Sequence, residues 1–592
     1  ATVITGGYRP ANDLSAILEY GKHKNEDTNY FFNTTFEAVM TPVKNVTVTA
    51  NYSFAQHEYT AMNRSANYPY SRVPGEVLWK TDGYGLNTLY ERSNHDWFHS
   101  YNIYGNYTNT FADVHHVSAT AGVNYETKFF KDIKIQRNDL LSEDLTDFNL
   151  ANGDEMSIAG GKNRYALFGL FYRLNYDYKN RYLFEFSGRY DGSSRFARGH
   201  RYGFFPSVSA GWRINEEKFF APLRKQISNL KLRFSLGALG NQQVGYYDYL
   251  QTISSGGTIS YAFGDKNKAS GASISAPNAS DFTWETVVTK NIGLDLGLLN
   301  NRLNMTADIY VRDTKDMLMA SKDLPNVYGA SSPKTNAANL RTKGWEASIS
   351  WNDSFNLKGK AFHYSVVLGL ADNTTKVTKY NNDNKTLGTP YEGQQLGEIW
   401  GYVVDGLFKT DEEAENYPVN QSYVNNILNI SVKSQGLHAG DVKYVDLDGD
   451  NIISPTLSAN DVKDQKVIGN SLPRYTYSVR LAADWNGIDF SALLQGVGRQ
   501  HWYPNGETSL FWGPYARPYC TFIPKDFLTD VWSEDNPDAY FPRPRGYVAL
   551  DVNPRELSKP NTRYLQNVAY CRLKNVTVGY SLPRTWLKAL HM

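Results

Sequence analysis

The sequence predicts an all-β fold, a large antiparallel β-barrel of the kind that crosses a membrane with strands. Three observations predict it. Apolar and polar residues alternate with period two along the chain, which puts one residue set on each face of a strand. Connections alternate between short and long, as they do between the two rims of a bacterial outer-membrane barrel. Aromatic residues make up 14% of the 592 residues, with 43 Tyr, yet the mean hydropathy is −0.51, so the rings sit in a chain that is polar on average.

The alternation is explicit in each segment. Tyr182, Phe184, Phe186 and Tyr190 share one face, and Glu185, Ser187 and Arg189 the other. Val208, Ala210, Trp212 and Ile214 oppose Ser207, Ser209 and Arg213, and Leu232, Phe234 and Leu236 oppose Lys231, Arg233 and Ser235. Ile292, Leu294, Leu296 and Leu298 face away from Asn291 and Asp295, and Trp345, Ala347, Ile349 and Trp351 from Glu346, Ser348 and Ser350. Near the end, Tyr475, Tyr477, Val479, Leu481 and Trp485 alternate with Arg474, Thr476, Ser478, Arg480 and Asp484. The count is about fifteen strands of roughly ten residues, the length a tilted strand needs to cross a bilayer.

Short joints are expected near 42–45, 111–115, 179–180, 300–301, 353–360 and 486–487, with 216–229 a longer member of the class. Asn486-Gly487 suits a type I′ hairpin. Long segments are expected near 56–100, 127–163, 239–288, 312–341, 373–473 and 499–564.

Composition excludes several classes. No window approaches the roughly 18 unbroken apolar residues of a membrane helix. The 61 basic and 60 acidic residues give a formal charge of +1 with no long run of either sign, so nothing resembles a nucleic-acid footprint. Cys520 and Cys571 stand in no metal-binding spacing and could pair or stay free. Ala1 to Pro10 has neither a basic nor an apolar leader region, and an odd strand count is unusual for a single-chain bacterial barrel. Material is therefore expected to be missing at both ends.

Eight collinear blocks resemble the SusC/RagA family of TonB-dependent transporters. The most recognisable is RYDGSSRFARGHRYGFFPSVSAGWRI (189–214), followed by ISNLKLRFSLGALGNQ (227–242) and FTWETVVTKNIGLDLGLLNNRLNMTADIYVRDTKDML (282–318). Next come NAANLRTKGWEASISW (336–351), GQQLGEIWGYVVDGLF (393–408) and GDVKYVDLDGD (440–450). IGNSLPRYTYSVRLAADWNGIDFSALLQGVG (468–498) and YCRLKNVTVGYSLP (570–583) complete the set. The resemblance implies that residues 1–592 are the receptor β-barrel domain of a 22-stranded protein, without its N-terminal plug and last strands. It also implies a Gram-negative outer-membrane location, active import of oligosaccharides or peptides, a SusD-like surface lipoprotein as lid, and coupling to the TonB complex through the missing N-terminal region.

No enzyme signature is present: the sequence has no phosphate loop, no H-E-x-x-H and no G-x-S-x-G. Gly496-Val497-Gly498 lies in a strand and lacks a third glycine. The chain is read as working by binding and passage, with no cofactor required. One constellation has defined spacing. Asp446, Asp448 and Asp450 occupy positions 1, 3 and 5 of a tight loop and Ile452 offers a carbonyl at 7, like the first half of a calcium-binding EF-hand loop. Asn451 stands where Gly is usual at position 6 and no Glu stands at 12, so Asp461 or Asp464 would have to close the site from beyond an insertion; the family resemblance of Asp464-Gln465-Lys466-Val467-Ile468-Gly469 implies Asp464. The alternative is a solvated Asp/Gly turn, and a bound Ca2+ would be structural.

The long loops carry rings suited to stacking on sugars: Trp79, Tyr84, Tyr246, Tyr247, Trp400, Tyr402, Trp502, Trp512 and Tyr515. Trp400, Tyr402, Trp502 and Trp512 are the substrate-binding candidates, against the alternative that such rings form loop cores or an interfacial girdle. Trp212, Trp345, Trp351 and Trp485 are expected to meet outer-membrane lipid. Asn-x-Ser/Thr triplets at Asn33, Asn45 and Asn51 follow from polar alternation. A passive porin and a secreted, soluble β-rich glycan-binding protein are the alternative readings of the whole chain.

Overall fold

The computed structural model describes residues 21–70, 78–80, 87–152, 156–263, 267–274, 282–320, 334–424, 437–504, 509–515, 525–544 and 556–582. Its main feature is one antiparallel sheet of fifteen strands in chain order. The first five are β1 (Lys24–Val43), β2 (Val46–Ser65), β3 (Thr88–Phe111), β4 (His115–Asn138) and β5 (Met156–Tyr178). The next five are β6 (Tyr182–Ser193), β7 (Tyr202–Arg213), β8 (Ile227–Asn241), β9 (Glu285–Leu298) and β10 (Leu303–Ala320). The last are β11 (Lys334–Leu357), β12 (Lys360–Lys379), β13 (Arg474–Trp485), β14 (Ile488–Arg499) and β15 (Tyr570–Tyr580). No described helix is long and apolar enough to cross a membrane.

The short turns are tighter than expected at one place. Asp353 and Ser354, read as part of a turn, instead lie in β11, which pairs with β12 as far as Leu357 opposite Lys360. The reversal is left to Lys358 and Gly359, both at positive φ (51° and 77°), the backbone of a type I′ turn. Asn486 and Gly487 adopt the same signs, 49° and 88°.

The long segments are correspondingly shorter than expected. β3 and β4 each run for 24 residues, well beyond the roughly 9–11 a bilayer requires. Residues 56–65 of β2, 88–100 of β3 and 127–138 of β4 are strand, not loop. In β2 and β3 the extension escaped the pattern because polar side chains stand on both faces: Glu58 with His95 and His57 with Asp96 pair across the two strands, so no apolar alternation marks them.

The chain divides into two compact units. The first comprises Ala1–Lys179, Glu185–Ser207 and Gly240–Trp284. Its loop side is fastened by buried Arg64, whose guanidinium donates to the carbonyls of Leu145 (2.9 Å), Ser142 (3.1 Å) and Thr88 (3.2 Å). In the 189–214 block, Phe196 is buried against Phe282 and Trp284, and the Trp284 indole donates to the Arg201 carbonyl at 2.9 Å.

The second unit comprises Asn180–Phe184, Val208–Leu239 and Glu285–Met592. Register places Ile292 opposite Ile309, Leu294 opposite Ala307 and Met305 opposite Ile349 on one face, and these rows are largely exposed. The segments 380–473 and 500–569 supply a separate core of ordinary kind, closed by Tyr402, Val442, Tyr444, Ile453, Trp512 and Tyr564.

Candidate functional site

The polar face of β8 to β14 carries the first functional chemistry. Arg233 on β8 lies across β9: its Nε is 3.0 Å from Asp295 Oδ2, and an Nη atom is 2.9 Å from Asp308 Oδ2 on β10. Asn291 Nδ2 donates to Asp308 Oδ1 at 2.8 Å. Gly293 makes this possible, since a Cβ there would lie 2.4 Å from Asp308 Oδ1 and 2.6 Å from Arg233 Cζ. Beside this ladder runs an open groove of about 730 Å3, lined by Asp308, Glu346, Ser348, Thr476, Ser478 and Gln495. The opposite face of the same strands is the exposed apolar one.

Where β13 and β14 reach the loops, a second pocket of about 240 Å3 is lined by Gln395, Glu398, Asn470, Arg474, Arg499 and His501. Arg474 is held by Asp372 through two charge-assisted bonds, whereas Arg499 is exposed. Glu398 accepts from the Trp400 indole at 2.9 Å, from the Gln395 N–H at 3.3 Å and from the Tyr391 hydroxyl. Burial, then the neighbouring Glu398 carboxylate, pushes the Tyr391 hydroxyl up to about 12. Sequence reading named Trp400, which bonds Glu398, but missed Glu398, Arg499 and His501, because single polar residues in or beside a long loop carry no periodic or spacing signal.

The four ring candidates separate. Trp512 (0% exposed) and Tyr402 (1%) lie inside the loop core, where Trp512 packs on Tyr564 and donates its N–H to the Pro504 carbonyl at 3.0 Å. Their rings are spent on packing and are not presented to a cargo. Tyr515 is buried with them. Trp400 is half-buried and bonds Glu398 without lining the polar pocket, and Trp502 is 42% exposed beside His501. In the first unit, Tyr246 and Tyr165 both contact Arg195, with ring centroids 4.9 and 4.4 Å from the guanidinium carbon and 6.1 Å from each other. Tyr247 bonds the Arg164 backbone. Tyr84, the side chain of Trp79 and Cys520 lie outside what is described. Cys571 is a free, exposed thiol.

The acidic loop folds as its spacing suggests. Carboxylate oxygens of Asp446, Asp448 and Asp450 lie within 4.8 Å of one another. Asp446 accepts the N–H of Gly449 and of Asn451, both at 2.7 Å, and Asp450 that of Ile452 at 2.8 Å. Asn451 adopts φ +63°, a left-handed backbone Asn tolerates, which is why it can stand where Gly is usual. Burial opposes the charge on Asp446, yet these N–H groups outweigh it and hold its carboxyl low. Asp464 is buried with its carboxyl against that of Asp446, though it is not one of the three mutually close carboxylates; it accepts from Leu447 N (2.8 Å) and Ser454 N (2.7 Å). Burial, reinforced by the charges of Asp448 and Asp446, pushes Asp464 up. The donors are all oxygen, as a hard cation requires, but Lys463 Nζ stands 3.3 Å from Asp448.

An exposed apolar face backed by a polar, charged one, under folded long loops, defines a membrane-barrel receptor. The chain belongs to the family of TonB dependent receptor-like β-barrels, whose model matches residues 3–553, and its relatives are of the SusC/RagA type. A TonB-dependent receptor of Formosa agariphila is 29% identical over 542 residues, 84% of this chain and 47% of that relative. SusC of Bacteroides thetaiotaomicron is 27% identical over 427 residues, 72% of this chain and 38% of SusC. The RagAB peptide importer in its open-open state shares the fold, with a TM-score of 0.74 and 22% identity over 96% of this chain and 56% of the solved one. The chain thus spans about half the length of the curated relatives it matches.

Proposed function

We propose that this chain is the wall and loop cap of an outer-membrane, TonB-dependent importer of oligosaccharides or peptides in a Gram-negative bacterium. The observation that carries the reading is the two-sided wall. Ile292, Leu294 and Ile309 are exposed on one face, while Arg233, Asp295 and Asp308 form a charged ladder on the other. Water-exposed apolar rows of this extent suit lipid, and a polar face suits a lumen. The pocket of Glu398, Arg499 and His501 is the proposed cargo contact, offering hydrogen-bonding charge, with the Trp400 indole holding the Glu398 carboxylate in place. The TonB complex is a proposed partner, supported by the names of the relatives, and a SusD-like lipoprotein lid is proposed from the resemblance to the SusC/RagA family. A passive porin fits less well, since the long loops build a cored cap where an open pore needs none.

Purification of the full-length protein from outer membranes in mild detergent tests this. A copurifying SusD-like lipoprotein with an oligosaccharide or peptide supports it; a protein that arrives alone and conducts as an open pore in planar bilayers overturns it. A structural Ca2+ on Asp446, Asp448 and Asp450 is a secondary proposal, favoured by the left-handed Asn451 that completes the loop geometry. Calcium should raise the unfolding temperature of the wild type and not of the Asp448→Asn variant; equal behaviour overturns it.

A further inference from the structure

The connection between β7 and β8 differs from its neighbours on the short-turn rim. The others reverse within a few residues, whereas this one forms two 3-10 turns, Ile214–Glu216 and Lys218–Leu223. Its anchor is Glu217, a buried acid. Tyr182 OH donates to its Oε1 at 2.5 Å, the Trp212 indole N–H donates to the same oxygen at 3.1 Å, and Arg181 Nη1 lies 3.0 Å from Oε2. Tyr182 and Trp212 belong to the apolar face of β6 and β7, so the acid draws the connection onto the outer side of the wall. Arg224 Nε donates to the Asn215 carbonyl at 2.7 Å and fixes the return.

This arrangement turns Phe220 inward and leaves Phe219 68% and Leu223 49% exposed. Around them, Lys218, Ala221, Pro222, Arg224 and Lys225 are exposed too, and Glu216 is the exposed acid of the segment. Two bare apolar side chains ringed by cations, continuous with a lipid-facing surface and anchored by a Trp and a Tyr, match the chemistry of a bilayer interface. Anionic headgroups attract such cations within a Debye length.

We propose that residues 214–226 are a foot seated in the headgroup layer of the leaflet on the short-turn side. Phe219 and Leu223 enter the acyl boundary, and Lys218, Arg224 and Lys225 meet lipid phosphates. This rests on the reading of the sheet as a membrane wall, so the test carries its own control. Nitroxides are placed at Phe219→Cys, at Ile292→Cys on the apolar wall and at Asp383→Cys on a loop, in full-length protein with Cys520 and Cys571 changed to Ser. The protein is reconstituted in phosphatidylethanolamine with phosphatidylglycerol, and oxygen and water-soluble nickel collisions are compared.

The foot predicts an oxygen-to-nickel ratio at position 219 several-fold above that at 383 and below that at 292. Replacing phosphatidylglycerol with phosphatidylcholine should lower it, and the Lys218→Glu/Lys225→Glu variant should abolish that lipid dependence. A 219 label that reads like 383 while 292 reads as bilayer overturns the foot alone. A 219 label shielded from both reagents means a protein surface covers the turn and also overturns it. Water-like values at 292 as well overturn the wall reading and the foot together.

Discussion

The wall and the loop cap are built on opposite principles. In the cap, Trp512, Tyr402 and Tyr564 are buried together, with a few hydrogen-bonded polar side chains such as Gln421 and Asn561 among the buried residues, so burial of apolar surface holds it as it holds any soluble domain. In the wall, Ile292, Leu294 and Ile309 are exposed and the charges of Arg233, Asp295 and Asp308 are turned to the other side. Strand-to-strand hydrogen bonding and the surrounding lipid must hold it instead. A ring therefore means different things in the two regions: in the cap, Trp512 and Tyr402 are core, while on the wall the rings of Phe184 and Phe186 stand exposed.

The largest effect that would sharpen this contrast is Trp512→Ala. Losing a fully buried indole costs about 3–5 kcal/mol. Amide exchange should rise across the cap while β9 to β12 keep their protection; loss of protection in both would show that cap and wall are one cooperative unit. Gly293→Val is the matching lesion in the wall. Its side chain collides with Asp308 and Arg233 and should cost about 1–3 kcal/mol, read as a lower unfolding temperature in detergent with the cap's tryptophan fluorescence unchanged.

Trp400→Ala and Arg499→Glu should each weaken cargo binding roughly tenfold, about 1.4 kcal/mol, without shifting the unfolding temperature. Titration calorimetry with copurified cargo checks this. A drop in stability of the size seen for Trp512 would mark Trp400 as core instead.

The smallest effect is a pH dependence confined to the cap. The Lys409 N–H holds Glu413 below its ordinary range, and the Ala439 N–H does the same for Asp411. A depressed carboxyl contributes stability above its unfolded value, near 4.5 for a glutamate, and that contribution is lost as pH falls through the folded value. Exchange of Phe408–Glu415, corrected for its intrinsic pH dependence, should rise below about pH 4.5, and Glu413→Gln should flatten the response.

The wall was legible in the sequence because a strand with lipid on one side and water on the other must alternate, and the rows of Ile292 and Trp345 do. The far parts of β2 and β3 were not, since polar side chains on both faces carry no period. The acidic loop was legible because its spacing is local. The pocket of Glu398, Arg499 and His501 was not, because residues far apart in the chain meet only when the two long loops fold together. For the same reason Trp512 and Trp502 look alike as letters, and packing alone separates the buried ring from the exposed one.

The central claim is that the two faces of the wall meet lipid and water respectively. Single cysteines at Asn291, Ile292, Leu294, Asp295, Thr306 and Ile309, in full-length protein reconstituted in liposomes and lacking Cys520 and Cys571, would be exposed to a water-soluble maleimide. The account predicts rapid labelling at 291, 295 and 306 and protection at 292, 294 and 309. Equal labelling at all six, or the reverse pattern, would contradict it.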